Sequence, residues 1–299
     1  MNKTTPFTLA MIAMALIACS GAVARAQYIF VELNVPAVNA ASTTVYGISN
    51  DNLITGTFSD SANGTVYGFT FNPNADVWQY PISDPNGLGT TWVTSSNTAG
   101  TIVGSYVNKA ELTLGMVDRE GTFSGINAAG CDEGTTSIYG INDSTTPAMI
   151  GWCLHNGQPV SWIGSPQNVT FSCPGAVATE VAAIGNWLIS VGTFYTSATA
   201  ANGFIATDSG TCTTFNHPGA YATWLAGIND YGTISGTYMA HANGPQSGFL
   251  TNGNGTFTTI DYPGAKTTVL GQVNNNGWFV GNFIDPQGIT HAFYALPAN

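Results

Sequence analysis

Gly227-Ile228-Asn229-Asp230-Tyr231-Gly232, Ile234-Ser235-Gly236-Thr237-Tyr238, Gly248-Phe249-Leu250 and Thr256-Phe257-Thr258-Thr259-Ile260-Asp261-Tyr262-Pro263-Gly264-Ala265 follow one another in a stretch that opens at Ala226 and repeats along the chain. The Gly-x-aromatic landmark recurs as Gly56-Thr57-Phe58, Gly104-Ser105-Tyr106, Gly192-Thr193-Phe194 and Gly281-Asn282-Phe283, with Gly151-Trp152-Cys153 as a degenerate copy. Successive spacings are 48, 47, 41, 44 and 45, averaging 45, the length of a four-stranded propeller blade. Helical repeats of similar period exist, but Gly, Thr and Asn mixed with alternating β-branched and aromatic residues select strands. In each unit the Asn-Asp-x-Gly stretch reads as a hairpin turn, Asx side chains bonding local backbone and Gly taking positive φ.

The two ends of the chain complete one another. The last repeat stops at His291-Ala292-Phe293-Tyr294-Ala295-Leu296, after its third strand. Ile29-Phe30-Val31-Glu32-Leu33-Asn34-Val35-Pro36-Ala37 matches the missing fourth strand, as in Phe257 to Ala265. A chain that begins with a fourth strand and ends with a third closes a ring and hides its sheet edges. An open solenoid would need polar caps instead. The expected fold is all-β: a six-bladed β-propeller with four strands per blade, a single domain over residues 27–299, closed by the N-terminal strand completing the last blade.

Residues 1–26 read as a signal peptide: Lys3, an apolar stretch of 12 from Phe7 to Ala18, and Ala24-Arg25-Ala26 before Gln27. The stretch is shorter than the roughly 20 residues a membrane helix needs, and no later segment supplies a transmembrane span. Leu16-Ile17-Ala18-Cys19 offers a second reading, a lipoprotein box with a lipid anchor at Cys19. The expected destination is therefore secreted or extracellular, or lipid-anchored at a bacterial envelope.

The full chain of 299 residues carries 5 basic and 16 acidic side chains, and only 7% of its residues are charged. Without residues 1–26, Lys109, Arg119 and Lys266 face those 16 acids, a net of −13. That balance excludes a nucleic-acid surface and disfavours anionic ligands generally. Four cysteines remain, and Cys131 with Cys173, both at corners between repeats, is the preferred disulfide; Cys153 and Cys212 stand at core positions as free thiols. No metal or cofactor motif is present: C-x-x-C is absent, and the Asn142-Asp143 and Asn229-Asp230 pairs lack the density of a calcium loop.

The units resemble the bacterial extracellular repeat family named for its His-Ala-Phe motif. His291-Ala292-Phe293 is a literal copy, and Gly68-Phe69, Gly203-Phe204 and Gly248-Phe249 are weaker ones. Leu114-Gly115-Met116 and Val160-Ser161-Trp162 depart from it. The resemblance implies export and a propeller-like repeat, with no catalytic residues to carry over.

A function shows where a repeat departs from its own pattern. Three residues before the Gly227 position stand Thr44, Trp92, Ser137, Glu180, Trp224 and Val269, expected near the channel mouth. Trp92 and Trp224 fall in opposite repeats, where indole faces can stack on sugar rings while Glu180 accepts hydroxyl hydrogen bonds. His217, His155 and His241 are expected on the same face, as is the Lys109/Glu111 loop. Asp132-Glu133 and Asp118 with Glu120 read as loop solubilisers rather than as a glycosidase pair. The reading is an exported, non-catalytic binding or envelope-interaction module for a neutral ligand such as glycan, or for a surface protein. Alternatives are a propeller hydrolase or lyase acting on polysaccharide or a small ester, using Glu180 and the histidines, and a purely structural envelope protein.

Overall fold

The structure is a computed structural model that describes residues 27–164 and 168–298. The leader and Cys19 lie outside the described residues. Six antiparallel sheets of four strands form a ring: a six-bladed β-propeller. The first blade is β2 (Ala40–Ile48), β3 (Ile54–Asp60), β4 (Val66–Asn72) and β5 (Val77–Ile82). The second is β6 (Gly87–Ser96), β7 (Thr101–Asn108), β8 (Thr113–Arg119) and β9 (Thr122–Ile126), and the third β10 (Ser137–Ile141), β11 (Met149–His155), β12 (Gln158–Gly164) and β13 (Asn168–Phe171). The fourth is β14 (Ala178–Ile184), β15 (Ser190–Ser197), β16 (Ala200–Ala206) and β17 (Cys212–Thr214), and the fifth β18 (Ala222–Ile228), β19 (Ile234–Met239), β20 (Gln246–Thr251) and β21 (Phe257–Ile260). The sixth joins β22 (Thr267–Val273), β23 (Phe279–Ile284) and β24 (Thr290–Pro297) to β1 (Tyr28–Leu33), which pairs with β24 from Tyr28↔Pro297 to Leu33↔Ala292.

The landmark glycine has a packing reason. It pairs across the sheet with a large, buried side chain of the third strand: Gly56 with Phe69, Gly104 with Met116, Gly151 with Trp162, Gly192 with Phe204, Gly236 with Phe249 and Gly281 with Phe293. All six bulky partners are buried. A Cβ on Gly236 would stand 2.6 Å from Cζ of Phe249, so the ring lies where a side chain would. Met116 and Trp162 fill the same place, so the second and third repeats depart in residue type but keep the packing.

Polar side chains, most of them uncharged, join the blades. A buried threonine at the start of each innermost strand accepts a backbone N–H from the preceding corner: Thr43 from Val35, Thr91 from Asp84, Thr136 from Ala128, Thr179 from Cys173, Thr223 from His217 and Thr268 from Tyr262. At the opposite end the Asn-Asp hairpins do more than turn. The side chains of Asn186, Asp230, Asn275 and Asn50 accept the backbone N–H of Asp143, Asn186, Asp230 and Asn275 in turn, each link passing to the next blade. Asp143 accepts from Thr98 N, and the Asn50 side chain reaches Asp143 at 2.6 Å.

The disulfides correct the expected pairing. Cys131 is bonded to Cys153 and Cys173 to Cys212, with Cα–Cα distances of 5.8 and 5.4 Å. Corners of successive repeats are separated by a whole blade, more than the roughly 7 Å a disulfide can span. Each corner cysteine instead turns into the blade beside it, so Cys153 and Cys212 are not free thiols. Cross-links of this kind fit a protein that folds outside the reducing cytoplasm. Among the described residues no helix is long and apolar enough to cross a membrane. A second correction concerns Asp118, which is only 2% exposed rather than a loop solubiliser; burial, with Asp84 adding to it, raises its pKa despite the Gly121 N–H.

The literal His-Ala-Phe copy clasps the closure. His291 Nδ1 lies 2.9 Å from Glu32 Oε1 on β1, and Nε2 lies 3.2 Å from Asp285 Oδ2, the ion pairs found among the described residues. Partial burial of His291 opposes protonation, but the hydrogen bonds and charges of Asp285 and Glu32 outweigh it, so its pKa is raised above the ordinary 6.5. Stabilisation from this group is complete below 6.5 and is lost as pH rises through the folded value. The pKa of Asp285 is lowered, chiefly by the backbone N–H of Ile289, so its share is complete above the ordinary 3.8 and is lost as pH falls through the lower folded value. The urea midpoint is expected to peak between about pH 4 and 6.5 and to decline above it, with the decline flattened in His291→Gln. A sharp loss of structure near pH 4, or an unchanged decline in the variant, would contradict this.

Candidate functional site

The threonine ring determines what faces the channel. With Thr91 or Thr179 pinned inward to its corner, the next residue of the strand, Trp92 or Glu180, turns to the opposite side. A bulge then interrupts every innermost strand, between Val45/Gly47, Val93/Ser95, Ile138/Gly140, Val181/Ala183, Leu225/Gly227 and Leu270/Val273. The extra residue leaves the ladder and is re-aimed. Tyr46, Thr94, Tyr139, Ala182, Ala226 and Gln272 thereby form a second tier within the channel. Glycine just past the bulge lets innermost strands approach: a Cβ on Gly47 would meet the Thr94 carbonyl at 2.6 Å.

The two tiers enclose a cavity of about 780 Å³ that opens on the side of the corners between blades. Its wall is asymmetric. Tyr46, Trp92, Tyr139 and Trp152 from the first three blades make one side aromatic, while Leu225, Val269 and Leu270 make the other aliphatic. Glu180 is its carboxylate, and Gln272 and Asn282 bring side-chain amides. The far end of the channel narrows to about 50 Å³ within the Asn-Asp ring.

Glu180 remains open to solvent, with Tyr195 Oη 3.5 Å from its Oε2. The surrounding wall strips part of its hydration and raises its pKa, against the hydrogen bond from Tyr195. Tyr139 is pushed up to about 12, by burial first and then by the nearby Glu180 and Tyr46. Burial and Glu180 also raise Tyr195, which is hydrogen-bonded to Trp224. Both phenols are protonated at neutral pH and present hydroxyl groups.

The expected site residues separate into two groups. Trp92 and Glu180 line the cavity, whereas Trp224 stands half-buried beside Tyr195, outside the lining. The histidines lie elsewhere. His217 stacks on Tyr238 with ring centroids 3.8 Å apart, and burial lowers its pKa. His155 Nδ1 is 2.5 Å from the Gly130 carbonyl, with Nε2 near Asn156 Nδ2, and His241 is exposed in the β19–β20 loop. Asp132 holds the β11–β12 turn by accepting from the N–H groups of Asn156 and Gly157. Tyr46, Tyr139 and Trp152 escaped the sequence reading. Strict alternation hides a bulge, and Trp152 reads only as a blemish in the third landmark. The one available signal was a large side chain directly before the Gly of Gly-Ile, at Tyr46 and Tyr139.

No family model matches this chain, and no curated protein does. Its fold is that of known propellers. TolB from Acinetobacter baumannii superposes with a TM-score of 0.54 at 10% identity, over 87% of this chain and 65% of that one, so the chain spans less than two thirds of TolB's length. A prolyl endopeptidase gives 0.48 at 12% identity, over 87% and 40%. A lectin from Aleuria aurantia, described as a six-bladed β-propeller, gives 0.45 at 10% identity, over 85% and 91%. At these identities the likeness is one of fold.

Proposed function

We propose that this chain is a non-catalytic binding propeller whose channel mouth takes a glycan. The observation that carries the reading is the cavity itself, with Trp92, Trp152, Tyr46 and Tyr139 on one wall and isolated polar groups between them. Its volume falls within the range of small-molecule sites, roughly 300–1,000 Å³. Flat apolar rings beside hydroxyl, amide and carboxylate groups match a sugar, which is apolar across its ring faces and polar around its rim. Export and kinship with the His-Ala-Phe repeat proteins belong to the same proposal.

The hydrolase alternative has less support. Glycoside hydrolysis uses two carboxylates, and the described lining holds one, with His155, His217 and His241 outside it. Titration against a panel of neutral and amino oligosaccharides tests the proposal. Trp92→Ala is expected to weaken the best ligand at least about tenfold, while Trp187→Ala, on an exposed hairpin at the other end of the channel, leaves affinity unchanged. Equal affinity in the parent and Trp92→Ala proteins, or turnover of the sugar, would contradict it.

A further inference from the structure

Glu180 has no cationic partner among the described residues. The ion pairs there are those of His291, and the Glu180 carboxylate accepts a long hydrogen bond from Tyr195. Glu180 is open to solvent but unpaired, and it faces into a channel mouth beside aromatic side chains, in a chain whose acidic excess needs no further charge for solubility. Aromatic faces attract positive charge as well as apolar rings, and a net negative charge raises the local concentration of cations. A metal ion does not suit the place. Hard divalent ions gather six or more oxygens, and the described residues hold no cluster of three acidic, His or Cys ligands. An organic ammonium needs a single carboxylate and tolerates an apolar wall.

We infer that the mouth selects a saccharide carrying a free, protonated amine, an amino sugar, with the ammonium on Glu180 and the sugar ring against Trp92. This rests on the glycan reading above and narrows it. The amine donates to Glu180 Oε2 or Oε1, and the phenols of Tyr139 and Tyr195 supply hydroxyl groups beside it. N-acetylation removes the charge and enlarges the group that must approach Glu180, so discrimination between a free and an acetylated amine is the signature.

The test is calorimetric titration of the purified chain with a glucosamine tetramer and with the fully N-acetylated tetramer, at several pH values between about 5 and 8. The free-amine tetramer is expected to bind about fivefold tighter or more, with the advantage shrinking as salt is added. Glu180→Gln is expected to bring the two tetramers to about equal affinity with the melting temperature unchanged, whereas Trp92→Ala weakens both. An advantage that survives Glu180→Gln, or equal binding of both tetramers to the parent, overturns the assignment and leaves the glycan reading standing. Failure of both tetramers and of every neutral sugar in the panel overturns both.

Discussion

A chain lacking residues 27–35 is expected to lose its cooperative fold. Those residues supply the fourth strand of the sixth blade. Tyr28 packs on Phe279 with ring centroids 4.9 Å apart, Phe30 packs on Tyr262 and Phe293 at 5.5 and 5.6 Å, and Leu33 and Val35 are buried. A fully buried large apolar side chain contributes about 1.5–3 kcal/mol, so Leu33 and Val35 with the partly buried Tyr28 and Phe30 reach the low end of the 5–15 kcal/mol that holds a typical domain. The loss also bares β24 as an unpaired edge, an invitation to aggregate. Size-exclusion chromatography and near-UV circular dichroism should show an aggregated or molten chain. Position along the chain should not matter. Ala298 N donates to Gln27 O, so residues 27–35 appended after residue 298 through a tight turn enter as an ordinary hairpin and should restore the fold. A truncated protein that stays monomeric and melts within a few degrees of the parent would show that the clasp is dispensable.

Removing both disulfides is the second large perturbation. The bridges close loops with sequence separations of 22 and 39 residues. In the chain-entropy account these correspond to about 3 and about 4 kcal/mol, the longer loop gaining more. They tie different corners to different blades, so their losses should nearly add. Cys173→Ser with Cys212→Ser should lower the urea midpoint more than Cys131→Ser with Cys153→Ser, and the fourfold variant should be partly unfolded at 37 °C. Midpoints unchanged by either pair, with the slope also unchanged, would mean that the blades hold without covalent help.

These two results probe what was most and least legible in the amino-acid order. Ring closure was legible because Ile29 to Ala37 matches the strand-and-corner pattern of Phe257 to Ala265, and a repeated pattern reveals topology without coordinates. Disulfide pairing was not, because Cys131 and Cys173 look alike in the repeat while their partners depend on how a corner leans into the adjacent blade. The same limit hid the role of the polar residues. Low charge first suggests a surface of Asn, Thr and Ser. Many of those residues are buried, where Thr43 to Thr268 bond the corners and the Asn-Asp hairpins bond neighbouring blades. Turn chemistry explained Asn229 correctly, since its Oδ1 accepts from Tyr231 and Thr233, but Asp230 reaches across to Asn186.

Departure from the repeat pointed to Trp92 and Glu180, and both line the cavity, because a position that faces the channel is released from packing against the next blade. Trp224, whose side chain lies beside Tyr195, and the histidines, with His217 stacked on Tyr238 and His155 held by loop backbone, lie outside that lining. Departure from the repeat gave no sign of Tyr46 and Tyr139, which a one-residue bulge turns into the channel.

A crystal structure of the protein soaked with the glucosamine tetramer tests the central claim most directly. The account predicts a sugar ring against Trp92 inside the channel mouth, its amine on the carboxylate of Glu180. Sugar bound only at the exposed Trp187 or Tyr231 at the other end of the channel, or an empty mouth in a crystal whose solvent saturates the protein in solution, would contradict it.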